Sequence, residues 1–424
     1  MKGTSMAEPP TPTEEVAWLT GPAGQAAIAE AFALPDTEAP SAVERMRKRH
    51  GPHAAAALTQ AELRHRARAK FGEEADALLL TRAGLEQATR PAVALHRARV
   101  LATAGARRVL DLGCGLGTDT AAFVELGMEV VAVELDPTTA AYAAANLAPA
   151  IATGQVRVLQ GDAVELLDRL WSPGTAAYAD PARRTGAGRS WNPADFTPSW
   201  DWALALLERA AEDGGVGCLK LGPGLPYRMI PESVGAEWVS HRGDLVEVAL
   251  WRGEGGAALP APGSRTATLL ADDGSLQQLV AEDRATPVRM PEVGTVLWEP
   301  DAAVIRAGAV DRLAAALGAG RVAPDIAYLV SDDVAPTPFA TVFRVLEVLP
   351  TKERVLREWV RDREVGRLEI KKRGIDVDPA ALRRKLRPAG PNAATLVLTP
   401  TPAGARALVV QRAANLVPSP PVAG

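Results

Sequence analysis

The chain has 424 residues, of which 47% are hydrophobic and 23% charged, and its formal net charge is −4 at pH 7. This length is sufficient for two or three domains, and the whole-chain charge does not indicate a nucleic-acid binder. Two cysteines exclude a disulfide framework, five histidines show no metal-ligand spacing, and no apolar run approaches the ~20 residues of a membrane helix. We therefore expect a soluble cytoplasmic protein without a metal.

The first part of the chain is predicted to be helical behind a short polar tail. Leu63, Ala67 and Phe71 recur at helical spacing within a stretch rich in Ala, Leu and Arg. Pro91 predicts the start of another helix, because proline is favoured at the first helical position. Residues 1–100 are therefore expected to form a helical N-terminal region.

The pattern then changes to short apolar runs that alternate with helical segments. The predicted strands are 108–112, 129–134, 156–160, 176–179, 216–220, 237–240 and 245–251. A helix is predicted at 199–211, before the fifth strand. This alternation predicts an α/β fold with a doubly wound, Rossmann-like, mostly parallel sheet over residues 101–252.

A smaller α+β region is predicted beyond a Gly- and Pro-rich linker at 253–264. A hairpin with an Asp-Gly turn is expected after Arg265, and residues 302–317 are expected to be helical. Further strands are predicted at 327–330, 343–348, 366–371, 395–398 and 407–410. We divide this part into a connecting region, 265–350, and a C-terminal domain, 351–412.

A glycine-rich turn follows the first predicted strand. The segment 109–119 reads V-L-D-L-G-C-G-L-G-T-D, in which an acid precedes three glycines: Asp111, then Gly113, Gly115 and Gly117. Such a turn lets the backbone approach a ligand and presents N–H groups at a helix N-terminus, which favours a nucleotide-like cofactor. A dinucleotide fingerprint would need glycine at position 118, where this chain has threonine.

Acids also lie at the ends of the next two predicted strands. Glu134 ends the second strand and Asp162 follows the third. A carboxylate at the first of these points can accept hydrogen bonds from both hydroxyls of a ribose. Each acid could instead be an ordinary helix cap or turn residue. Asp136 is an alternative to Glu134, although its position before Pro137 is more typical of a helix cap.

The glycine turn and the order of these acids resemble class I S-adenosylmethionine-dependent methyltransferases. The resemblance implies S-adenosylmethionine as the cofactor, bound by Asp111, the three glycines and Glu134. It also implies that Asp162 meets the adenine amino group and that the backbone N–H of Ala163 lies near a ring nitrogen. All of these positions are at the carboxyl ends of predicted parallel strands, where open α/β sheets bind ligands.

The segment Y-A-D-P-A-R-R, residues 178–184, resembles motif IV of methyltransferases that act on base nitrogens. Asp180 would accept a hydrogen bond from the target nitrogen and align its lone pair for attack. The chain departs from the D-P-P-aromatic pattern, since Ala182 replaces the second proline and Arg183 replaces the aromatic residue. Arg183 and Arg184 could bind a phosphate or a carboxylate, or be a solvated loop pair.

The C-terminal segment 366–399 resembles the THUMP-like domain found behind a class of bacterial methyltransferases. Four other runs share the resemblance: E-Q-A-T-R-P from Glu86, D-P-A-R-R from Asp180, W-E-P-D from Trp298 and P-T-P-F-A from Pro336. The match covers most of the chain from about residue 80. True THUMP domains bind RNA, so the resemblance implies RNA by analogy.

Basic residues are concentrated in the same part of the chain. Residues 351–390 contain 13 Lys/Arg against 7 Asp/Glu. They form two clusters: Lys371, Lys372 and Arg373, then Arg383, Arg384, Lys385 and Arg387. Such clusters could pair with RNA phosphates, or form a solvated helix face. Lys220, after the fifth predicted strand, is a further candidate for substrate contact, with a simple strand-end turn as the alternative.

The sequence therefore predicts a methyltransferase that acts on a base nitrogen of structured RNA, with Asp180 orienting the nucleophile. Two alternatives stay open. One is a small-molecule or protein methyltransferase, and the other is a non-catalytic RNA-binding protein that retains cofactor binding. The sequence does not identify the acceptor atom, the RNA species or the oligomeric state.

Overall fold

The computed structural model describes residues 11–183, 191–282 and 290–413. The chain divides into two compact units. The first comprises Met1–Gly235 and Ala249–Pro262, and the second comprises Ala236–Val248 and Gly263–Gly424. Within the described ranges, no helix combines the length and the apolarity needed to cross a membrane.

The first unit begins with helices, as predicted: α1 (Pro12–Thr20), α2 (Pro22–Phe32), α3 (Pro40–His50), α4 (Ala54–Phe71), α5 (Arg82–Gln87) and α6 (Pro91–Thr103). Proline occupies the first position of α6, where its missing N–H has no helical partner to lose. Thr11 and Glu14 form a capping box at the start of α1. The helices bury a common core that includes Leu19, Ile28 and Leu63.

The central part of this unit alternates strands and helices. Its elements are β1 (Arg108–Leu112), α7 (Thr118–Glu125), β2 (Glu129–Glu134), α8 (Pro137–Asn146), α9 (Ala148–Ala152), β3 (Val156–Gln160), α10 (Ala163–Leu170), β4 (Ala176–Ala179), β5 (Ala182–Arg183), β6 (Phe196–Thr197), α11 (Trp200–Glu212) and β7 (Val216–Leu221). The first four predicted strands coincide with β1 to β4. β7 is one residue longer than predicted.

The main strands of the first unit are parallel and follow the order β7-β4-β1-β2-β3. The apolar residues of β1, β2, β4 and β7 are buried, as expected for a parallel sheet that is covered by helices, whereas in the edge strand β3 only Val156 is buried. Leu101, Phe123 and Ala143, from α6, α7 and α8, belong to the same core as Val109 and Val130 of the sheet. The predicted α/β architecture is confirmed, and the parallel register brings the carboxyl ends of the strands to one edge.

The remaining elements are β8 (Gly235–His241), β9 (Asp244–Gly253), β10 (Arg265–Leu270), β11 (Leu276–Val280), β12 (Val296–Pro300), α12 (Ala302–Ala307), α13 (Val310–Leu317), β13 (Gly320–Arg321), β14 (Leu329–Ser331), β15 (Ala340–Pro350), α14 (Glu353–Asp362), β16 (Val365–Lys372), α15 (Pro379–Leu386), β17 (Asn392–Thr401) and β18 (Gly404–Arg412). In the second unit, β10 pairs with β8 in parallel and with β11 as an antiparallel hairpin. A further sheet has the order β13-β14-β12-β15-β18-β17-β16.

Residues 302–317 are helical, as predicted, but they do not form one continuous helix. The segment forms α12 and α13, which are separated at Gly308. Gly308 has a φ of 77° and ends α12 in the left-handed conformation, which glycine adopts without the steric penalty of a Cβ. The predicted helical segment is therefore interrupted between α12 and α13.

Candidate active site

The glycine turn connects β1 to α7, and its three glycines meet different surroundings. All three have positive φ values, 99° for Gly113, 57° for Gly115 and 84° for Gly117. A Cβ added to Gly113 or Gly115 would have no other atom within 4 Å, whereas one added to Gly117 would lie 2.8 Å from Leu147 Cδ1. Gly117 therefore allows close packing inside the fold. The first two glycines instead leave open space above the backbone.

That open space is part of a cavity of about 620 Å³ in the first unit. The glycine turn and the ends of β2, β3, β4 and β7 line it, together with residues from the α5 segment. Its lining includes seven of the fourteen predicted site residues: Gly113, Gly115, Glu134, Asp162, Ala163, Asp180 and Lys220. Asp111 and Gly117 lie outside this lining.

Glu134 is joined to the glycine turn by its carboxylate. Oε2 accepts a hydrogen bond from the backbone N–H of Gly115 at 2.9 Å, and Oε1 accepts one from the N–H of Asp136 at 2.9 Å. The side chain of Asp136 caps α8 by accepting from the N–H of Thr139 at 2.7 Å. The structure therefore gives Asp136 the helix-cap role and leaves Glu134 at the turn.

Asp162 also acts as a helix cap. Its Oδ1 accepts a hydrogen bond from the N–H of Val164 at 2.7 Å, at the start of α10. Asp162 and Ala163 nevertheless line the cavity, so the cap fixes an acid at the cavity wall. A capping role and a ligand-binding role are compatible here, because a carboxylate has several lone pairs.

Asp111 lies beneath the turn and is completely buried. Its Oδ2 accepts a hydrogen bond from Thr120 Oγ1 at 2.5 Å. Burial raises the pKa of Asp111 to about 8, and the hydrogen bond from Thr120 opposes this shift. Burial therefore favours the protonated form of this carboxyl, which joins β1 to Thr120 of α7.

A second buried acid, Asp119, is the centre of a network that the sequence analysis did not predict. Its Oδ2 accepts hydrogen bonds from Thr89 Oγ1 at 2.6 Å and from the Tyr178 hydroxyl at 3.1 Å. Its Oδ1 is paired with the guanidinium of Arg97, which lies 4.8 Å from the centre of the Tyr178 ring. These contacts join the E-Q-A-T-R-P segment to the glycine turn. The sequence shows the E-Q-A-T-R-P motif, but Asp119, which Thr89 of this motif contacts, lies 30 residues further along the chain.

Asp180 and Lys220 form an ion pair at the cavity. They follow Ala179 at the end of β4 and Leu219 within β7, which are register partners on neighbouring parallel strands. The Lys220 ammonium contacts Oδ2 of Asp180 and also lies 3.5 Å from the carbonyl oxygen of Gln87. The side chains are only 32% and 14% exposed. The structure therefore places a carboxylate and an ammonium side by side in one wall.

Lys70 anchors the α5 segment that forms part of the cavity. Its Nζ donates to three carbonyl oxygens in and just after α5, at 2.6, 3.2 and 2.6 Å. Burial lowers the pKa of Lys70 to about 8, with further lowering from the nearby charges of Lys220 and Arg90. This cation at the carbonyl end of a helix holds the segment in place.

Of the two arginines in the predicted motif IV, the structure describes only the backbone of Arg183. Arg183 belongs to β5, which pairs antiparallel with β6 through Ala182–Thr197 and Arg183–Phe196. The Arg183 side chain and all of Arg184 lie outside the described residues.

The two basic clusters of the second unit have different surroundings. Lys371 is paired with Glu299 at 2.6 Å, and Arg373 donates to the carbonyl of Ala327 at 3.3 Å. Lys372 is exposed. In the second cluster, Arg383, Arg384 and Lys385 on α15 and Arg387 beyond it are all exposed. The first cluster is therefore largely engaged within the unit. In the second cluster Lys385 lies 3.4 Å from Glu353, and the other three cations are exposed.

Family models match three segments of the chain. Residues 109–173 match a methyltransferase domain, residues 340–412 match a THUMP domain-like family, and residues 12–67 match a domain of unknown function. Among the described residues, no group of three or more His, Cys, Asp or Glu side chains is arranged to hold a metal.

Relatives match much more of the chain. Two proteins of Mycobacterium tuberculosis, from strains CDC 1551 and H37Rv, are each described as an uncharacterized S-adenosylmethionine-dependent methyltransferase. Each is 34% identical over 372 residues, which span 85% of this chain and 96% of the relative. A ribosomal RNA small subunit methyltransferase A, so named in Methanospirillum hungatei, is 40% identical over 78 residues, which are 18% of this chain and 30% of that protein.

A solved structure has the same fold. It is assigned as a methyltransferase from Porphyromonas gingivalis W83 and matches with a TM-score of 0.72 and 23% identity, covering 92% of this chain and 98% of its own. The fold and the cavity at the strand ends define an enzyme of the Rossmann-like methyltransferase class. By its full-length relatives, the chain belongs to the S-adenosylmethionine-dependent methyltransferases, and S-adenosylmethionine is its cofactor.

Proposed function

We propose that this enzyme methylates a nitrogen of a base in structured RNA, with Asp180 as the residue that orients the acceptor. S-Adenosylmethionine supplies an electrophilic methyl group on a sulfonium sulfur. The observation that carries the proposal is the position of Asp180, which shares one cavity with the glycine turn, Glu134 and Asp162. An acceptor held by Asp180 would therefore lie in the same cavity as the methyl donor.

The residues around the cavity fit the cofactor. The open space above Gly113 and Gly115 allows a ligand to approach the backbone, which a Cβ at either position would obstruct. Glu134 offers carboxylate oxygens for the ribose hydroxyls, and Asp162 with the N–H of Ala163 would meet the adenine. Asp111 and Gly117 would contribute indirectly, as the buried support of the turn.

Asp180 would orient the acceptor. Its carboxylate lies at the carboxyl end of a parallel strand, where ligands bind in open α/β sheets. Accepting a hydrogen bond from the target nitrogen would fix the direction of the nitrogen lone pair, and holding two reactants in line removes much of the entropic cost of their reaction. Lys220 fixes the carboxylate from the neighbouring strand.

The second unit supports RNA as the substrate. Its residues 340–412 match a THUMP domain-like family, and four exposed cations lie on α15 or directly after it: Arg383, Arg384, Lys385 and Arg387. Cations of this kind bind phosphates and release counterions, so binding weakens as salt increases. The partial similarity to the Methanospirillum hungatei protein named for ribosomal RNA methylation also supports RNA as the substrate.

The test is the transfer of a labelled methyl group from S-adenosylmethionine into separated RNA, protein and metabolite fractions. We expect label in RNA with the wild type, and none with Asp180→Ala although that variant still binds S-adenosylhomocysteine. Label in protein or metabolites alone would contradict the RNA proposal. Equal labelling by Asp180→Ala would contradict the role of Asp180. The matched control is Asp168→Ala, which removes an exposed acid of α10 outside the cavity lining.

A further inference from the structure

The Asp180–Lys220 pair presents a hydrogen-bond acceptor next to a hydrogen-bond donor. The two residues lie on adjacent strands at the same sheet edge, and both line the cavity that contains the glycine turn. Because the pair is largely shielded from water, its charges act strongly on whatever binds there. The chemistry of the pair therefore restricts which base edge can be the acceptor.

We propose that the Asp180–Lys220 pair recognises a lactam edge, in which a ring N–H is adjacent to a carbonyl group. The acceptor is then guanine N1 beside O6, or uracil N3 beside one of its carbonyl oxygens. The carboxylate accepts the ring N–H while the ammonium donates to the carbonyl oxygen. This inference rests on the proposed function, because it names the acceptor within an RNA base.

The reaction at such an edge balances with the groups present. The ring nitrogen gives its proton to the Asp180 carboxylate and forms a bond to the methyl carbon. The carbon–sulfur bond breaks, and its electron pair stays on sulfur, so the positive sulfonium becomes a neutral thioether. Negative charge that develops on the carbonyl oxygen is stabilised by the Lys220 ammonium. The proton on Asp180 then passes to solvent.

Other nitrogens fit this pair less well. An exocyclic amino group, or a ring nitrogen that carries no hydrogen, gains positive charge when its lone pair attacks the methyl carbon. An adjacent ammonium opposes that charge. The sequence also lacks the second proline and the aromatic residue of the amino-methylase pattern, because Ala182 and Arg183 take those positions. Both observations favour an acceptor that becomes negative over one that becomes positive.

The decisive test digests the methyl-labelled RNA to nucleosides. We use total cellular RNA as the substrate and identify the labelled product by mass spectrometry. Methylation on a ring nitrogen of guanosine or uridine is the expected result. Label on adenosine, on cytidine or on a ribose hydroxyl would overturn the lactam inference while leaving RNA methylation intact. Absence of label from RNA would instead refute the proposed function.

Variants of the pair separate a chemical role from a structural one. Lys220→Met is expected to lower kcat by about 10²- to 10³-fold at pH 7, and Lys220→Arg to lose less than Lys220→Met, because arginine keeps the charge and the donors. Asp180→Asn is expected to lower kcat by about 10²- to 10⁴-fold at the same pH. At alkaline pH, both losses should decrease, because the lactam N–H then ionises without help. Losses that do not change with pH would overturn the inference.

The binding of the same RNA supplies a readout that is independent of activity. Fluorescence anisotropy should give Lys220→Met nearly the affinity of the wild type, since backbone phosphates dominate RNA affinity. A loss of RNA affinity as large as the loss of kcat would assign Lys220 to binding and overturn its role in catalysis. Lys48→Met is the matched control, because Lys48 is 74% exposed on α3 and does not line the cavity.

Discussion

Glu134 is predicted to control cofactor affinity through the ribose hydroxyls that its carboxylate would bind. Its carboxylate accepts two backbone hydrogen bonds at 2.9 Å, one of them from Gly115 in the glycine turn. These bonds fix the carboxylate with and without the cofactor, whereas the two hydrogen bonds that it would accept from the ribose hydroxyls are made only in the complex. Hydrogen bonds to a charged group contribute about 1.5–3 kcal/mol each, and we use the lower value because the side chain is partly solvated. Glu134→Ala then costs about 3 kcal/mol, which corresponds to a roughly 100-fold weaker Kd at about 1.4 kcal/mol per tenfold.

Isothermal titration calorimetry with S-adenosylhomocysteine measures this effect directly. Glu134→Gln should bind S-adenosylhomocysteine about tenfold more weakly. The amide keeps one acceptor oxygen, but its NH2 group is a donor and faces the other backbone N–H, which is also a donor. The control is Glu129→Ala, at the exposed opposite end of β2. If Glu134→Ala folds normally and binds within threefold of the wild type, the carboxylate does not organise the cofactor site and the reasoning is refuted.

Three further changes test the surroundings of the turn. Arg97→Met leaves Asp119 buried without its cation and should lower the free energy of unfolding, measured in urea, by about 3–5 kcal/mol. The double variant Arg97→Met with Asp119→Leu should recover much of this loss, and an equal loss in both variants would contradict the network. Because burial raises the pKa of Asp111 from 3.8 to about 8, the folded protein retains a proton that the unfolded chain releases, so stability should fall as pH rises from about 4 to about 8. Asp111→Asn should abolish that contribution, and an unchanged pH dependence would refute it. Gly115→Val and Gly127→Val introduce similar backbone strain, because the two glycines have φ values of 57° and 82° and neither new Cβ has an atom nearby. Only Gly115 lines the cavity, so only Gly115→Val should abolish S-adenosylhomocysteine binding.

The sequence predicts the central sheet well because its signals are local. β1 to β4 contain short, mostly apolar runs that are followed by glycine or by a charged or polar residue, so their bounds can be read from the chain. The same locality explains the failures. The helical pattern of residues 302–317 does not reveal the break at Gly308, whose left-handed conformation separates α12 from α13. The strand β12 and the helices α14 and α15 were not predicted as elements, because their mixed polar patterns depend on a sheet that assembles from distant segments.

The cavity shows the same division between local and distant information. The glycine turn, Glu134, Asp162 and Asp180 follow from motifs at strand ends, and the structure brings them to one cavity. The pairing of Lys220 with Asp180, and the buried network around Asp119, depend on contacts across many residues of sequence. A single sequence contains the residues for such contacts but not the register that joins them.

The most direct measurement of the central claim is a crystal structure of this protein with S-adenosylhomocysteine. The account predicts that the adenosine lies over Gly113 and Gly115, that its ribose hydroxyls contact Glu134, and that the sulfur faces Asp180 across the cavity. A ligand bound elsewhere, or a sulfur directed away from Asp180, would contradict the proposed active site.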